Sequence, residues 1–272
     1  MATEARADTG YRYVDKDAAL TALKAEIPVL LSTLRAVKNP QAIAVGHWTT
    51  RDVAAHFLDQ FENYRNIALG NGSPYTATDQ IAGHNDRRIK EIDESDMKVL
   101  ADQIEAATVP YLEALSSIEG DPSVPWAGIE VPVSTLIGFG ILECQMHGYD
   151  IATAEGGTYE IDPARAALAL KAISPATMHY VDPRAAAGLR ATYDIRVRDH
   201  WQMDFIFDDG TLRIEEPSGR KADVHLSADP VAFALVGYGR AGQWGPAIKG
   251  QIVTWGRKPW LAFKFAKLLK NP

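Results

Sequence analysis

The sequence predicts a four-helix bundle followed by an α+β domain built on an antiparallel sheet. Three observations carry this expectation. Apolar residues recur at three- and four-residue steps through roughly the first 150 positions. Beyond about residue 183 they alternate with polar neighbours instead, as strand residues do. A chain of 272 residues, at about 150 per domain, leaves room for two domains. Hydrophobic residues make up 46% and charged residues 23%, which excludes disordered and fibrous classes.

The first helix is expected from Leu20, Leu23, Ile27, Leu30, Leu31, Leu34 and Val37, with Pro28 kinking or breaking it. The second starts at Thr49, which forms a capping-box pattern with Asp52. Its stripe is Ala54, Phe57, Phe61, Tyr64 and Ala68, and Gly70 and Gly72 end it. A third runs from about Ser95 to Ile118, with Pro110 inside it. Three prolines and two glycines make 120–132 a loop. The fourth helix spans about Ser134 to Ala154 and stops at Gly156-Gly157. Four such helices in succession favour an antiparallel bundle.

Asp162-Pro163 opens a linking helix that reaches about Val181. Tyr193, Ile195 and Val197 mark a strand, and so do Trp201, Met203, Phe205 and Phe207. Asp209-Gly210 before Leu212 is a hairpin turn. Val224 and Leu226 mark a further strand, and Asp229-Pro230 opens another helix. The expected division is a bundle at 1–160, a linking helix at 161–182 and an α+β domain at 183–272.

The 28 Lys and Arg against 35 Asp and Glu give a net charge of −7, which argues against a nucleic-acid binder. Charge is unevenly spread. Residues 230–272 hold seven cations (Arg240, Lys249, Arg257, Lys258, Lys264, Lys267, Lys270) and no acid. The first 229 residues carry the rest, 21 basic against 35 acidic, a charge of −14. Such asymmetry points to an anion or a surface as partner. The single cysteine, Cys144, excludes an internal disulfide and fits a reducing compartment. The opening MATEARADTGYRYV lacks the pattern of a secretory signal, and no apolar run is long enough to span a membrane. A cytoplasmic protein without stable membrane insertion is expected.

Glu143-Cys144-Gln145-Met146-His147 is the most informative cluster. Glu143 and His147 are one turn apart on a helix, on a row with Leu136, Gly140, Ile151 and Ala154 that should face the bundle interior. A carboxylate and an imidazole buried there without partners would cost several kcal/mol. Metal coordination is one way to satisfy both. His56, beside the apolar stripe of the second helix, is the best third ligand, and two histidines with one glutamate suit a zinc site with open positions. The spacing leaves the alternative open: a core or boundary histidine and an ordinary intrahelical pair. Cys144 points about 100° away from Glu143 and reads as a small core residue.

HWTTRDVAAHFLDQFENY (47–64) and ILECQMHGYDIATAEG (141–156) resemble the mycothiol-dependent maleylpyruvate isomerase family, a branch of the DinB-like metalloenzymes. The shared pattern is a Trp before a capped helix carrying a His, then Glu-x-x-x-His-x-x-Asp late in the bundle. The resemblance implies that His56, Glu143 and His147 bind zinc and that Asp150 orients a ligand. It also implies mycothiol, the small thiol of actinobacteria, as co-substrate, and a small anionic electrophile as the other partner. The activity implied is S-transfer or maleylpyruvate-type cis–trans isomerisation, with thiol exchange in secondary metabolism a variant of the same chemistry.

Residues 222–269 resemble a sterol-carrier-protein-like domain, a class that follows the bundle in that family. The carry-over selects Arg240, in Gly237-Tyr238-Gly239-Arg240, as the arginine that reaches the active site. A lipid carrier using this half, or a non-catalytic thiol sensor, are the alternatives. His84, Arg87 and Arg88 are expected in an exposed polar segment between helices. Trp260, Leu261, Phe263, Phe265, Leu268 and Leu269 are expected to cover the sheet, with Lys264, Lys267 and Lys270 pointing to solvent.

Overall fold

A computed structural model describes residues 12–270. The expectation of no secretory signal rests mainly on residues 1–11, which lie outside the described residues. The chain divides into two compact units, residues 14–176 and residues 177–270 with residues 12 and 13.

In the helical unit, α1 (Lys16–Arg35) is capped by Asp15 and runs through Pro28 unbroken. The expected break does not occur. An interior proline costs about 3 kcal/mol, whereas burial of each Leu or Ile contributes about 1.5–3 kcal/mol, and α1 buries six of them, Leu20 to Leu34. A short hairpin, β1 (Ile43–Val45) and β2 (Trp48–Thr49), leads into α2 (Thr50–Ala68). The capping box forms: the Thr49 hydroxyl accepts from the Asp52 N–H, and the Asp52 carboxylate accepts from the Thr49 N–H at 2.9 Å. All five stripe residues of α2 are buried. Leu69 caps the helix and Gly70 follows at φ +75°.

Between α2 and the next long helix lies an element the sequence did not predict, α3 (Ile81–Glu91). Its inward face is Ile81, His84, Asn85 and Ile89, at helical spacing but half polar. Next comes α4 (Met97–Ser117), which contains Pro110 and is capped by Asp96. The expected loop at 120–132 is instead a hairpin, β3 (Ser123–Trp126) and β4 (Ile129–Pro132). Its turn residues, Ala127 at φ 50° and Gly128 at φ 81°, are both left-handed, as a two-residue hairpin turn needs. Proline is tolerated because a two-stranded ribbon has only edge strands. A side chain at 128 would also meet the Thr76 carbonyl at 2.2 Å.

The last long helix, α5 (Val133–Ala154), is buried along most of its length. Helices α1 and α2 each pack against both α4 and α5, which completes a four-helix core. The segment 161–182 contains α6 (Pro163–Ala172), opened by Asp162 and Pro163, and the short α7 (Ser174–Thr177). Helix α6 packs on α5 through Ala166, Ala167, Ala169 and Ala172.

The second unit is a five-stranded sheet of β5 (Arg190–Val197), β6 (Trp201–Asp208), β7 (Thr211–Glu215), β8 (Val224–Ala228) and β9 (Ile252–Trp255). The order is β7-β6-β5-β8-β9, antiparallel throughout except for the central β5–β8 pair, which is parallel. Asp209 and Gly210 form the β6–β7 turn, both at positive φ. Asp229 caps α8 (Pro230–Gly237), and the short α9 (Trp244–Ile248) precedes β9. A 3-10 turn (Pro259–Leu261) and α10 (Ala262–Phe265) close the unit. One sheet face is the core, with Tyr193, Phe205 and Phe207 packed on Phe265 at ring distances of 5.4–6.3 Å. Leu261, Phe265 and Leu268 cover this face as expected, but Trp260 and Phe263 point outward. The reason is geometric: a turn this short has one inward side, and positions 261, 265 and 268 occupy it.

The opposite face is polar. Asp194 is buried there, accepting from Arg196 at 2.7 Å and Gln202 at 2.7 Å, with the His225 ring nitrogen 2.6 Å away. No helix among the described residues is long and apolar enough to cross a membrane.

Candidate metal centre

The capped start of α2 fixes the rotation of that helix, and its apolar stripe then turns the neighbouring His56 inward, leaving it 2% exposed. On α5, Glu143 and His147 project from the same side one turn apart. Packing of α2 against α5 brings the three together. Glu143 Oε2 lies 3.1 Å from His147 Nε2 and 3.4 Å from His56 Nε2. One ligand atom from each residue falls within 4.8 Å of the other two.

The electrostatics of the cluster are strongly coupled. Burial alone would push the Glu143 carboxyl up, but hydrogen bonds and charge from His147 and His56 hold it well below the usual carboxylate range. Burial disfavours a charge on His147. Its hydrogen bonds to Asp150 and Glu143 outweigh that and push the imidazole up to about 9. Asp150, one turn beyond on α5, sits with Oδ2 at 3.1 Å from His147 Nδ1. In the neutral ring that a metal requires, a proton held on Nδ1 by Asp150 leaves the Nε2 lone pair facing Glu143 and His56. The donor set fits a divalent ion of the zinc type, two imidazole nitrogens and one carboxylate oxygen on a common centre. His56 Nδ1 is buried without a hydrogen-bond partner among the described residues.

Aromatic groups enclose the cluster. The Trp48 ring lies 5.2 Å from His56 and stacks on His147 at 6.2 Å. Phe57 meets His147 edge-on at 5.8 Å. Trp48 is itself held by α3: its indole N–H donates to Asp86 Oδ1 at 2.7 Å, and His47 Nε2 is 3.1 Å from the same oxygen. Those contacts, Trp48 first, hold the Asp86 carboxyl below its usual range. Deeper in the unit, burial pushes the Tyr75 hydroxyl up, with the Glu143 charge adding to it, so Tyr75 stays a neutral donor. Asp86 escaped the sequence reading, which had no helix at α3 to place it, and so did Tyr75 in the segment before that helix.

His84 is not exposed as expected. It is buried on α3, with Nε2 3.1 Å from Asp59 Oδ2, and Arg88 Nε donates to Asp59 Oδ1 at 2.6 Å. The buried Asp59 carboxylate, one turn past His56 on α2, draws both side chains in. Cys144 is wholly buried and lies outside the three-residue cluster. Arg240 follows α8 in the sheet unit, where Nη1 donates to the Tyr238 carbonyl at 2.8 Å.

Comparison with known proteins bears on this arrangement. No curated protein matches the chain by sequence. Among solved structures, the chain is similar to a mycothiol-dependent maleylpyruvate isomerase, with a TM-score of 0.55 and 14% identity over 88% of this chain and 92% of that one. A histidine-to-alanine mutant of that enzyme matches equally, with a TM-score of 0.55 at 13% identity and the same coverage. At such identity the likeness shows a shared fold. Residues 20–152 match the family described as "Mycothiol maleylpyruvate isomerase N-terminal domain". This helical region, which holds His56, Glu143 and His147, is the part of the chain that matches that family.

Proposed function

We propose that the protein is a mycothiol-dependent metalloenzyme that directs a thiolate onto a small, anionic electrophile. The observation that carries the reading is the convergence of His56, Glu143 and His147 with Asp150 behind one ring and Trp48 over two of them. The match of residues 20–152 to the isomerase family supports the thiol and the reaction class.

A zinc-like ion held by these three side chains would lower the pKa of a thiol, about 8.5 when free, so that the thiolate prevails at neutral pH. The chain's own groups do the rest. Glu143, kept ionised by its two histidine neighbours, supplies the negative charge of the ligand set. Asp150 keeps the His147 proton on Nδ1. Trp48, anchored through Asp86, covers the histidine rings and limits the access of water. The thiolate then adds to a carbon of a conjugated double bond, and the negative charge passes to an enolate oxygen. Rotation about the new single bond followed by loss of the thiolate isomerises the substrate, whereas protonation of the enolate leaves a thioether, the outcome of S-transfer. Arg240 is the residue we assign to hold the substrate carboxylate or the enolate. The inner sheet face is filled by the chain's own rings, Tyr193, Phe205, Phe207 and Phe265, which favours the enzyme reading over a lipid carrier.

The test is a thiol screen on the zinc-loaded full chain. Several small electrophiles would be offered with mycothiol, glutathione or cysteine and the products identified by mass spectrometry. Elemental analysis should give about one divalent ion per chain, lost in His56→Ala and Glu143→Ala. Turnover should require mycothiol, and Arg240→Ala should raise KM for the anionic substrate. A wild-type chain that takes up no metal refutes the mechanism, and a preference for glutathione refutes the mycothiol assignment.

A further inference from the structure

Among the large apolar side chains of the sheet unit that face solvent are Trp244 (61% exposed), Ile248 (86%), Trp260 (56%) and Phe263 (41%). Singly, such residues are ordinary on a protein surface. Here they adjoin one another. Trp244 and Ile248 are one turn apart on α9, and the Phe263 ring of α10 stacks on Trp244 at 5.0 Å. Trp260 precedes Phe263 by three residues across the junction of the 3-10 turn and α10. Lysines flank the rings: Lys249 follows Ile248, and Lys264 and Lys267 lie beside and beyond Phe263, all exposed. No ion pair involves these three lysines among the described residues, and residues 230–272 contain no acid at all. Two other cations of the segment differ: Arg257 and Lys258 are both paired with Asp223.

We propose that this aromatic and basic patch is a docking surface for an anionic lipid bilayer, on which the protein sits peripherally. Tryptophan, with an apolar body and a polar N–H, favours the headgroup level of a membrane, and exposed lysines are drawn to anionic lipid. Charge complementarity fixes the sign of the partner, because residues 230–272 of an otherwise acidic chain hold seven cations and no acid. The proposal is independent of the metal centre, since every residue it uses lies between 244 and 267.

The experiment is sedimentation of the full chain with vesicles of phosphatidylcholine alone or mixed with phosphatidylglycerol. Partition onto the mixed vesicles is expected, weakening as salt is raised. Trp260→Ala combined with Phe263→Ala should lower it at least about tenfold. Lys264→Glu and Lys267→Glu should each lower it about fivefold or more, roughly the effect of one cation near the surface. All four positions are exposed, and unchanged far-UV circular dichroism would confirm folding. Absence of binding to the anionic vesicles, or binding that these variants leave unaltered, overturns the proposal. So does a dimer in analytical ultracentrifugation that Trp260→Ala dissolves, which would give the surface to a second copy of the chain.

Discussion

Removal of the Asp150 carboxylate tests the proposed metal centre without touching any of its three candidate ligands. Asp150 is buried, and its Oδ2 is 3.1 Å from His147 Nδ1. In Asp150→Ala the Nδ1–H loses this acceptor, and a buried donor left unpaired costs about 1–3 kcal/mol. The ring can escape that cost by moving its proton to Nε2, but this blocks the nitrogen that faces Glu143. Either way the ligand set is less ready to bind. Loss of such an outer partner typically weakens metal affinity by about 10–100-fold, or about 1.4–2.7 kcal/mol. Asp150→Asn keeps an acceptor oxygen and should fall at the lower end of that range. Competition for zinc against a chromophoric chelator, at fixed pH and salt, measures the difference directly. Affinity of Asp150→Ala within twofold of the wild type would refute the idea that Asp150 prepares His147.

Thr49→Ala removes one half of the capping box of α2 and should cost about 1 kcal/mol in urea denaturation. Gly148→Ala places a methyl group 2.4 Å from the Tyr159 ring, so it should destabilise by about 1–3 kcal/mol in the same assay. Asp194 supplies a pH dependence. Burial would raise its pKa, but hydrogen bonds from Arg196 and His225 lower it below the unfolded value of about 3.9. Its contribution is therefore present above pH 4 and lost as pH falls through the depressed folded value. Asp194→Asn should flatten the acid limb of the stability curve, and an unchanged limb would show that other carboxylates set it.

Much of the fold was legible where one residue type has one physical use. Thr49 with Asp52, Asp162-Pro163, Asp209-Gly210 and Asp229-Pro230 all stand where local chemistry put them. The departures have causes beyond local chemistry. Helix α3 was invisible because His84 and Asn85 form half of its inward face, so counting apolar residues finds no stripe. The 3-4 spacing of Ile81, His84 or Asn85, and Ile89 was the available signal. Pro28 read as a kink or break because the packing that retains it is tertiary. At the metal centre, Glu143 and His147 could be paired by helical spacing, whereas the approach of His56 depends on how α2 meets α5. The anchoring of Trp48 by Asp86 depends on α3 and could not be foreseen without it.

The proposed chemistry, which brings a thiolate and an electrophile together, carries a risk of self-alkylation. The chain's only sulfhydryl, on Cys144, is wholly buried, and burial pushes that thiol well above its ordinary value. It therefore remains protonated and a poor nucleophile in the folded state. The folded chain should survive prolonged turnover with its mass unchanged. A covalent adduct at Cys144 would mark molecules that have opened, so intact-protein mass spectrometry doubles as a meter of unfolding during the reaction.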